Sequence, residues 1–354
     1  MTPTRTYFLA PLAGYSDLPF RRCCRRFGLV YAHTPLLDAG ALLHHDSENR
    51  EILARGDDEP WLAVQLMGCR PDDLRQAAAI LNDYPFDALD FNMGCPVRKV
   101  MQRNAGAALL KTPELALDCV RVLRDVVKKP LTVKTRILSE TDPDATVRFC
   151  LALQDCGIDG LTIHGRLPQR IYAGPVAMAV IKAVREALSI PVTANGGIFT
   201  AADADALATG SGCDRLMVAR GAIGNPWLFR ELIQGLAAAP THAEICAMLL
   251  QQVAGMVELY GEERAFLAGR KIILSYLCGR GYRRRLRAQM AIVKTMAEFL
   301  AVFRQIEAEG PLAATDGVSD TPDLAGHRSD VEQPPATDGV SDTPDQHVPQ
   351  SVSH

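Results

Sequence analysis

Eight short apolar runs recur along the first two-thirds of the chain: Tyr7–Leu9, Leu29–Ala32, Leu62–Leu66, Ala88–Phe91, Leu131–Val133, Gly160–Ile163, Val192–Ala194 and Arg215–Val218. Between them lie stretches with apolar residues at helical spacing, such as Pro71–Asn82, Pro113–Val127 and Ala145–Cys156. Continuous apolar strands alternating with helices predict a parallel sheet covered on both faces. Eight such units in about 220 residues favour closure into a (β/α)8 TIM barrel over a doubly wound open sheet. The fold class is therefore α/β, with the barrel assigned to residues 1–235. Nearly every run ends on polar residues or glycine: Ala13-Gly14, Asp38, Gln65, Asn92, Lys134, His164, Asn195 and Arg220. The carboxyl ends of barrel strands are where chemistry is built, so these residues form the candidate set.

After Gly224-Asn225-Pro226-Trp227 the pattern changes. Residues 236–308 show only helical periodicity, for example over Ile245–Leu259 and Arg287–Phe303, and predict a small all-α domain. Residues 309–354 are acidic and of low complexity, and repeat ATDGVSDTPD at Ala314–Asp323 and Ala336–Asp345. A polar repeat cannot bury a core, so this tail is expected to be disordered.

Composition adds three exclusions. No run of eighteen apolar residues appears, so no membrane-spanning helix is expected. The start carries no secretory pattern. The ten cysteines show no CxxC spacing, which argues against a metal site and against a disulfide framework, and favours the cytoplasm. The net charge of −3 hides a strong asymmetry. From Arg264 to Arg287 there are eight basic residues and no acid: Arg264, Arg270, Lys271, Arg280, Arg283, Arg284, Arg285 and Arg287. From Glu307 onward there are ten acidic residues and one basic. A solvated helix face normally intersperses acids, so the basic stretch points to phosphate binding.

The candidate chemistry falls at the strand ends. Asn195-Gly196-Gly197 and Ala219-Arg220-Gly221 follow the seventh and eighth strands, where barrels frequently bind phosphate. Either turn alone could be merely tight; the pair at these two strands favours a phosphate-bearing cofactor, with Arg220 available to pair with it. Lys134 and His164 end the fifth and sixth strands and face the same mouth. Cys95 lies in Asn92-Met93-Gly94-Cys95-Pro96, a loop sequence that presents the thiol above the barrel. With an ordinary pKa of about 8.5 it stays mostly protonated at neutral pH and is a usable proton donor.

Several segments resemble the bacterial tRNA-dihydrouridine synthases, nearest to their B-type branch. They are Ala10–Gly14 (APLAG), Asn92–Val100 (NMGCPVRKV), Ala105–Leu110 (AGAALL), Leu161–Arg166 (LTIHGR), Asn195–Gly197 (NGG) and Ala219–Phe229 (ARGAIGNPWLF), in the family's order. The resemblance spans roughly residues 5–300 and extends to Gly269-Arg270-Lys271 and Tyr276-Leu277. It implies a flavoenzyme that uses FMN, reduced by NADPH or NADH, to turn uridines of the tRNA D-loop into 5,6-dihydrouridine. Hydride would add to C6, and Cys95 would protonate C5 as general acid. The uridine would leave the stack to reach the flavin. The resemblance places Pro11, Leu12 and Ala13 against the flavin. Gln65 and Lys134 would hydrogen-bond its polar edge, His164 would support it, and Asn195, Gly196, Gly197, Ala219, Arg220 and Gly221 would hold its phosphate. Asn92 would face the uracil. Arg166, Arg270, Lys271, Arg283, Arg284 and Arg285 would contact the RNA. A monomer without metal is expected. Two other readings compete: an FMN-dependent dehydrogenase of the dihydroorotate kind acting on a free pyrimidine, and a tRNA-binding protein without catalysis.

Overall fold

The computed structural model describes residues 5–44 and 48–312. Its eight strands are all parallel and follow chain order around a closed barrel. They are β1 (Thr6–Leu9), β2 (Tyr31–Asp38), β3 (Trp61–Met67), β4 (Ala88–Asn92), β5 (Leu131–Arg136), β6 (Gly160–His164), β7 (Val192–Asn195) and β8 (Arg215–Val218). The ring closes where Leu9 of β1 pairs with Val218 of β8. The expected TIM barrel is therefore the fold.

Strand alternation explains why the apolar runs end in polar residues. Successive side chains point to opposite faces. Phe91, Val133, Ile163 and Ala194 are fully buried in the core shared with the surrounding helices. The alternate positions face the lumen, and there the register aligns Gln65 with Asp90, Asp90 with Thr132, Asn92 with Lys134, Arg136 with His164, and His164 with Asn195.

One strand departs from the sequence reading. The second apolar run was expected to end at Ala32, yet β2 begins at Tyr31 and continues to Asp38. His33, Thr34 and Pro35 interrupt the apolar pattern, but each is accommodated. The register against β3 shifts between His33 and Leu36, a bulge that tolerates a residue without an N–H. His33 Nδ1 lies 3.0 Å from the Leu9 carbonyl, and Thr34 Oγ1 accepts from the Gln65 N–H at 3.1 Å.

The helical region comprises His242–Tyr260, Glu262–Leu277, Arg284–Met290 and Met296–Glu309. It has its own apolar core, which also takes in Trp227 and Cys23 of the barrel region. Gly224, at φ +61°, lies so close to Ser275 that a Cβ would stand 2.4 Å from that residue's backbone, so the two regions meet there without a side chain between them. Tyr260 adds a hydrogen bond of 2.9 Å to Asp17. The periodic stretch Arg287–Phe303 is two helices rather than one. Thr295 starts the second by accepting from the Glu298 N–H at 3.2 Å.

That last helix runs through Glu309, the residue from which composition placed the tail, and Leu312 N donates to Gly281 O at 3.0 Å. The remainder of the expected tail, with both decapeptides, lies outside the described residues. Among the described residues no helix is long and apolar enough to cross a membrane.

Candidate active site

Lumen residues of β3, β4, β5 and β7 form two hydrogen-bonded groups. Thr132 Oγ1 donates to Asp90 Oδ1 at 2.6 Å, and Gln65 Nε2 donates to Asp90 Oδ2 at 2.7 Å. Asn92 Nδ2 donates to Gln65 Oε1 at 2.7 Å. On the other side Lys134 Nζ donates to Asn195 Oδ1 at 3.0 Å, and Asn195 Nδ2 donates to Met217 O at 2.8 Å. Gln65, Asp90, Asn92 and Asn195 are buried and Thr132 and Lys134 half-buried, and each hydrogen bond answers a desolvation penalty that would otherwise stand uncompensated.

Cys95 sits above these residues on the loop after β4. Asn92 Oδ1 accepts from the Gly94 and Cys95 N–H groups at 3.1 and 3.0 Å, which turns the chain sharply at the strand end. Arg136 Nε donates to Gly94 O at 2.7 Å, and Ala107 N donates to Cys95 O at 3.0 Å. Burial pushes the Cys95 thiol up, against the opposing pull of the Val97 N–H and the positive charges of Arg136 and Lys134. The thiol therefore keeps its proton at neutral pH.

The far side of the mouth is crowded with positive charge. Burial is the main reason that Lys134 falls to about 8; Arg136 lowers it further, while Asp90 and Cys95 raise it. His164 is held well below its ordinary value by burial and by Arg136, Lys134, Arg166 and Arg220, so its imidazole is neutral. Arg166 Nη1 lies 3.5 Å from His164 Nε2, and its Nε donates to Gly174 O at 2.9 Å. His164 and Arg166 converge on the Gly196-Gly197 turn: a Cβ at Gly196 would lie 3.3 Å from His164 Nε2, and one at Gly197 3.6 Å from Arg166 Nη2. Gly221 is packed so tightly that a Cβ there would fall 2.2 Å from Ile198 O. The Arg220 guanidinium lies over the Tyr172 ring at 3.9 Å. Bare backbone flanked by cations is a cradle suited to a phosphate.

The β1 loop forms another wall. Leu12 N donates to Ser16 Oγ at 2.8 Å, and the buried Arg21, paired with Glu59, donates to Ser16 O at 2.9 Å. Pro11 and Leu12 are half-buried and Ala13 is exposed. Lys271 reaches this wall from the helical region, its Nζ 4.2 Å from the centre of the Tyr15 ring.

The basic stretch does not form a single face. Arg264 pairs with Glu51, and Arg283 and Arg285 both pair with Glu309. Arg280 is half-buried against Trp227 and donates to the Ser275 and Tyr276 carbonyls. Arg270 and Arg284 are exposed. A second basic surface lies beside Cys95, where Arg98 and Lys111 line an open cavity of about 740 Å³ together with Pro96, Met101 and Asn104.

Three residues absent from the sequence-based set belong to this site. Asp90 and Arg136 lie two positions from Asn92 and Lys134 on their strands, so the period of two already aimed them at the lumen. Arg136 also donates to the carbonyls of Leu167 and Ile171, tying the β6 loop to the Cys95 loop. Tyr172 lies on that irregular loop and had no periodic signal.

A closed parallel barrel with a thiol and a cluster of cations at the carboxyl ends of its strands has the layout of a barrel enzyme. The family model for dihydrouridine synthase (Dus) matches residues 8–309, and the chain belongs to that family. Among its relatives is the tRNA-dihydrouridine synthase B of Pasteurella multocida, 36% identical over 277 residues, covering 77% of this chain and 83% of that protein. The tRNA-dihydrouridine synthase B of Shewanella oneidensis is 34% identical over 82% of this chain and 91% of its own. The Pseudomonas aeruginosa protein of the same name is 33% identical, covering 85% and 92% respectively.

Proposed function

We propose that this chain reduces the C5=C6 bond of uridines in the D-loop of tRNA to 5,6-dihydrouridine, with FMN as cofactor and NADPH or NADH as electron donor. The observation that carries the reading is the convergence on one barrel mouth of a protonated Cys95 thiol and the cradle of His164, Arg166, Arg220 and the Gly196-Gly197 turn. The donor set fits the cofactor: bare backbone and guanidinium groups for its phosphate, with Lys134 and Gln65 for the polar edge of its ring. Pro11, Leu12 and Ala13 would cover the ring, and Asn195, Gly197, Ala219 and Gly221 would complete the phosphate cradle. Bound FMN supplies the hydride.

The protein's own residues do the rest. Negative charge develops at C5 and O4 of the uracil as C6 is reduced. Cys95 holds a proton at Sγ and delivers it to C5, the role of a general acid. Burial that keeps the thiol protonated favours that role over nucleophilic attack. Neutral His164 donates a hydrogen bond without adding another buried charge. The RNA is held by cations: the exposed Arg270, Arg283, Arg284 and Arg285 and the half-buried Lys271 on the helical region, and the exposed Arg98 and Lys111 beside the reacting base. Arg166 and Asn92 border the space the flipped base would enter. The reading places the enzyme in the cytoplasm as a monomer.

The purified protein is expected to absorb as a flavoprotein. It should form dihydrouridine in unmodified tRNA only when a reduced nicotinamide is added. Reduction of free uracil or dihydroorotate chemistry with no activity on tRNA would replace this reading with the free-pyrimidine one. Protein without flavin that still binds tRNA would favour a binding protein.

A further inference from the structure

The Cys95 loop is held at its base by one side-chain oxygen, Asn92 Oδ1, facing two backbone N–H groups. An amide has a donor end and an acceptor end of nearly equal shape, so packing alone does not decide which end faces the loop. The choice is made by the partner of the other end. Asn92 Nδ2 meets Gln65 Oε1, and Gln65 in turn offers its Nε2 to Asp90 Oδ2. Asp90 is fully buried and its second oxygen accepts from Thr132. A carboxylate accepts and cannot donate. It therefore admits only the NH₂ end of Gln65, which leaves the Gln65 oxygen for the Asn92 NH₂ and the Asn92 oxygen for the loop.

We propose that Asp90 is a positioning residue: through Gln65 and Asn92 it sets the polarity of a chain of amides that ends at the N–H groups of Gly94 and Cys95, and so holds the Cys95 thiol in place. Asp90 touches none of the reacting atoms and acts only through the two amides. The reverse polarity would aim the Asn92 NH₂ at two N–H groups and release the loop. The inference rests on the reading of Cys95 as proton donor for its functional meaning, but the relay itself does not.

The test moves the acceptor-only group one place along the chain. Asp90→Asn removes the acceptor-only group: the new amide can donate to Gln65 Oε1, which turns the Gln65 NH₂ toward Asn92 and the Asn92 NH₂ toward the loop. Gln65→Glu added to it restores every bond: Asn at position 90 donates to Glu at position 65, which accepts from Asn92, whose oxygen again faces the loop. The readout is the rate of alkylation of Cys95 by iodoacetamide at one fixed alkaline pH, followed by peptide mass spectrometry on protein stripped of flavin. Cys69 and Cys156, also partly exposed and on other elements, report any general loosening.

Asp90→Asn should alkylate at Cys95 roughly 5- to 30-fold faster, the factor for one or two ordinary hydrogen bonds, with Cys69 and Cys156 unchanged. The double variant should return to within roughly two-fold of the parent, a coupling that independent sites do not show. A double variant as reactive as Asp90→Asn, or three cysteines accelerated together, would overturn the relay. A restored loop in a protein whose Cys95→Ala variant still forms dihydrouridine would keep the relay and discard the proton-donor reading.

Discussion

At the scale of single residues, the proposed reading separates a proton donor, Cys95, from a cation, Lys134. On that reading Cys95 is needed only when RNA is reduced. Cys95→Ala should keep bound flavin and normal oxidation of NADPH, while oxidation of the reduced enzyme by tRNA slows by about 10²- to 10⁴-fold. Single-turnover absorbance of the flavin measures both steps, and an unchanged tRNA step would remove Cys95 from the chemistry. Lys134 makes a pH prediction whose sign follows from its depressed pKa. Its positive charge is present below about 8 and lost as pH rises through that value. The neighbours facing it are Arg136, His164 and His33, which disfavour the charge or are neutral, and Asp90 and Cys95, which favour it. An anionic cofactor binds better to the charged form, so its affinity should fall as pH rises through about 8. Lys134→Met should bind FMN more weakly and lose that step. A fluorescence titration that finds the same pH dependence in both proteins would assign the step to another group.

At the scale of elements, the cradle depends on two short turns meeting without side chains between them. Gly221 begins the region after β8, and its missing Cβ leaves room for Ile198 O at the turn after β7. Gly221→Ala forces these turns apart. It should lower the melting temperature by roughly 2–4 °C for each kcal/mol of strain, and reduce the flavin content of purified protein. Full flavin occupancy with an unchanged melting curve would show that the turns can separate freely. The strands themselves were legible because lumen and helix-facing positions alternate, and most ran only one to three residues beyond their apolar runs. β2 was legible only in part. His33 and Pro35 read as a strand end until the bonds to Leu9 and the bulge against β3 are known, and both come from other strands. The break between the last two helices was hidden for a similar reason, since the periodic apolar residues continue across it.

At the scale of the whole molecule, the question is which surface grips RNA. Three of the eight bases between Arg264 and Arg287 pair with Glu51 or Glu309, and Arg280 is turned inward. Exposed ion pairs contribute little to stability, but they lower the net charge offered to phosphates. Changing Arg98, Lys99 and Lys111 together to Ala should therefore flatten the salt dependence of tRNA binding by about one unit of slope for each phosphate no longer neutralised. Changing Arg283, Arg284 and Arg285 together should flatten it less, and neither triple change should alter flavin reduction by NADPH. The comparison is best made in protein ending at Leu312, so that the acidic tail cannot compete. Filter binding over a range of salt, with a larger loss from the Arg283–Arg285 change, would return the main RNA surface to the helical region.

The order of strands and helices, the polar ends of the strands and the loop character of the Cys95 segment were all determined by the sequence, because periodicity and turn composition are local. The pairing of charges was not. Glu51 and Glu309 are remote in sequence from Arg264 and Arg283, and only folding brings them together to divide a run of eight bases into paired, buried and exposed members. The direction of each amide was not legible either. Gln65, Asp90, Asn92 and Thr132 come from three strands, and only when the barrel closes do their donors and acceptors face one another. Local pattern places a side chain on a face; what it meets there is decided by the tertiary structure, because the desolvated lumen requires each polar atom to find its partner across strands.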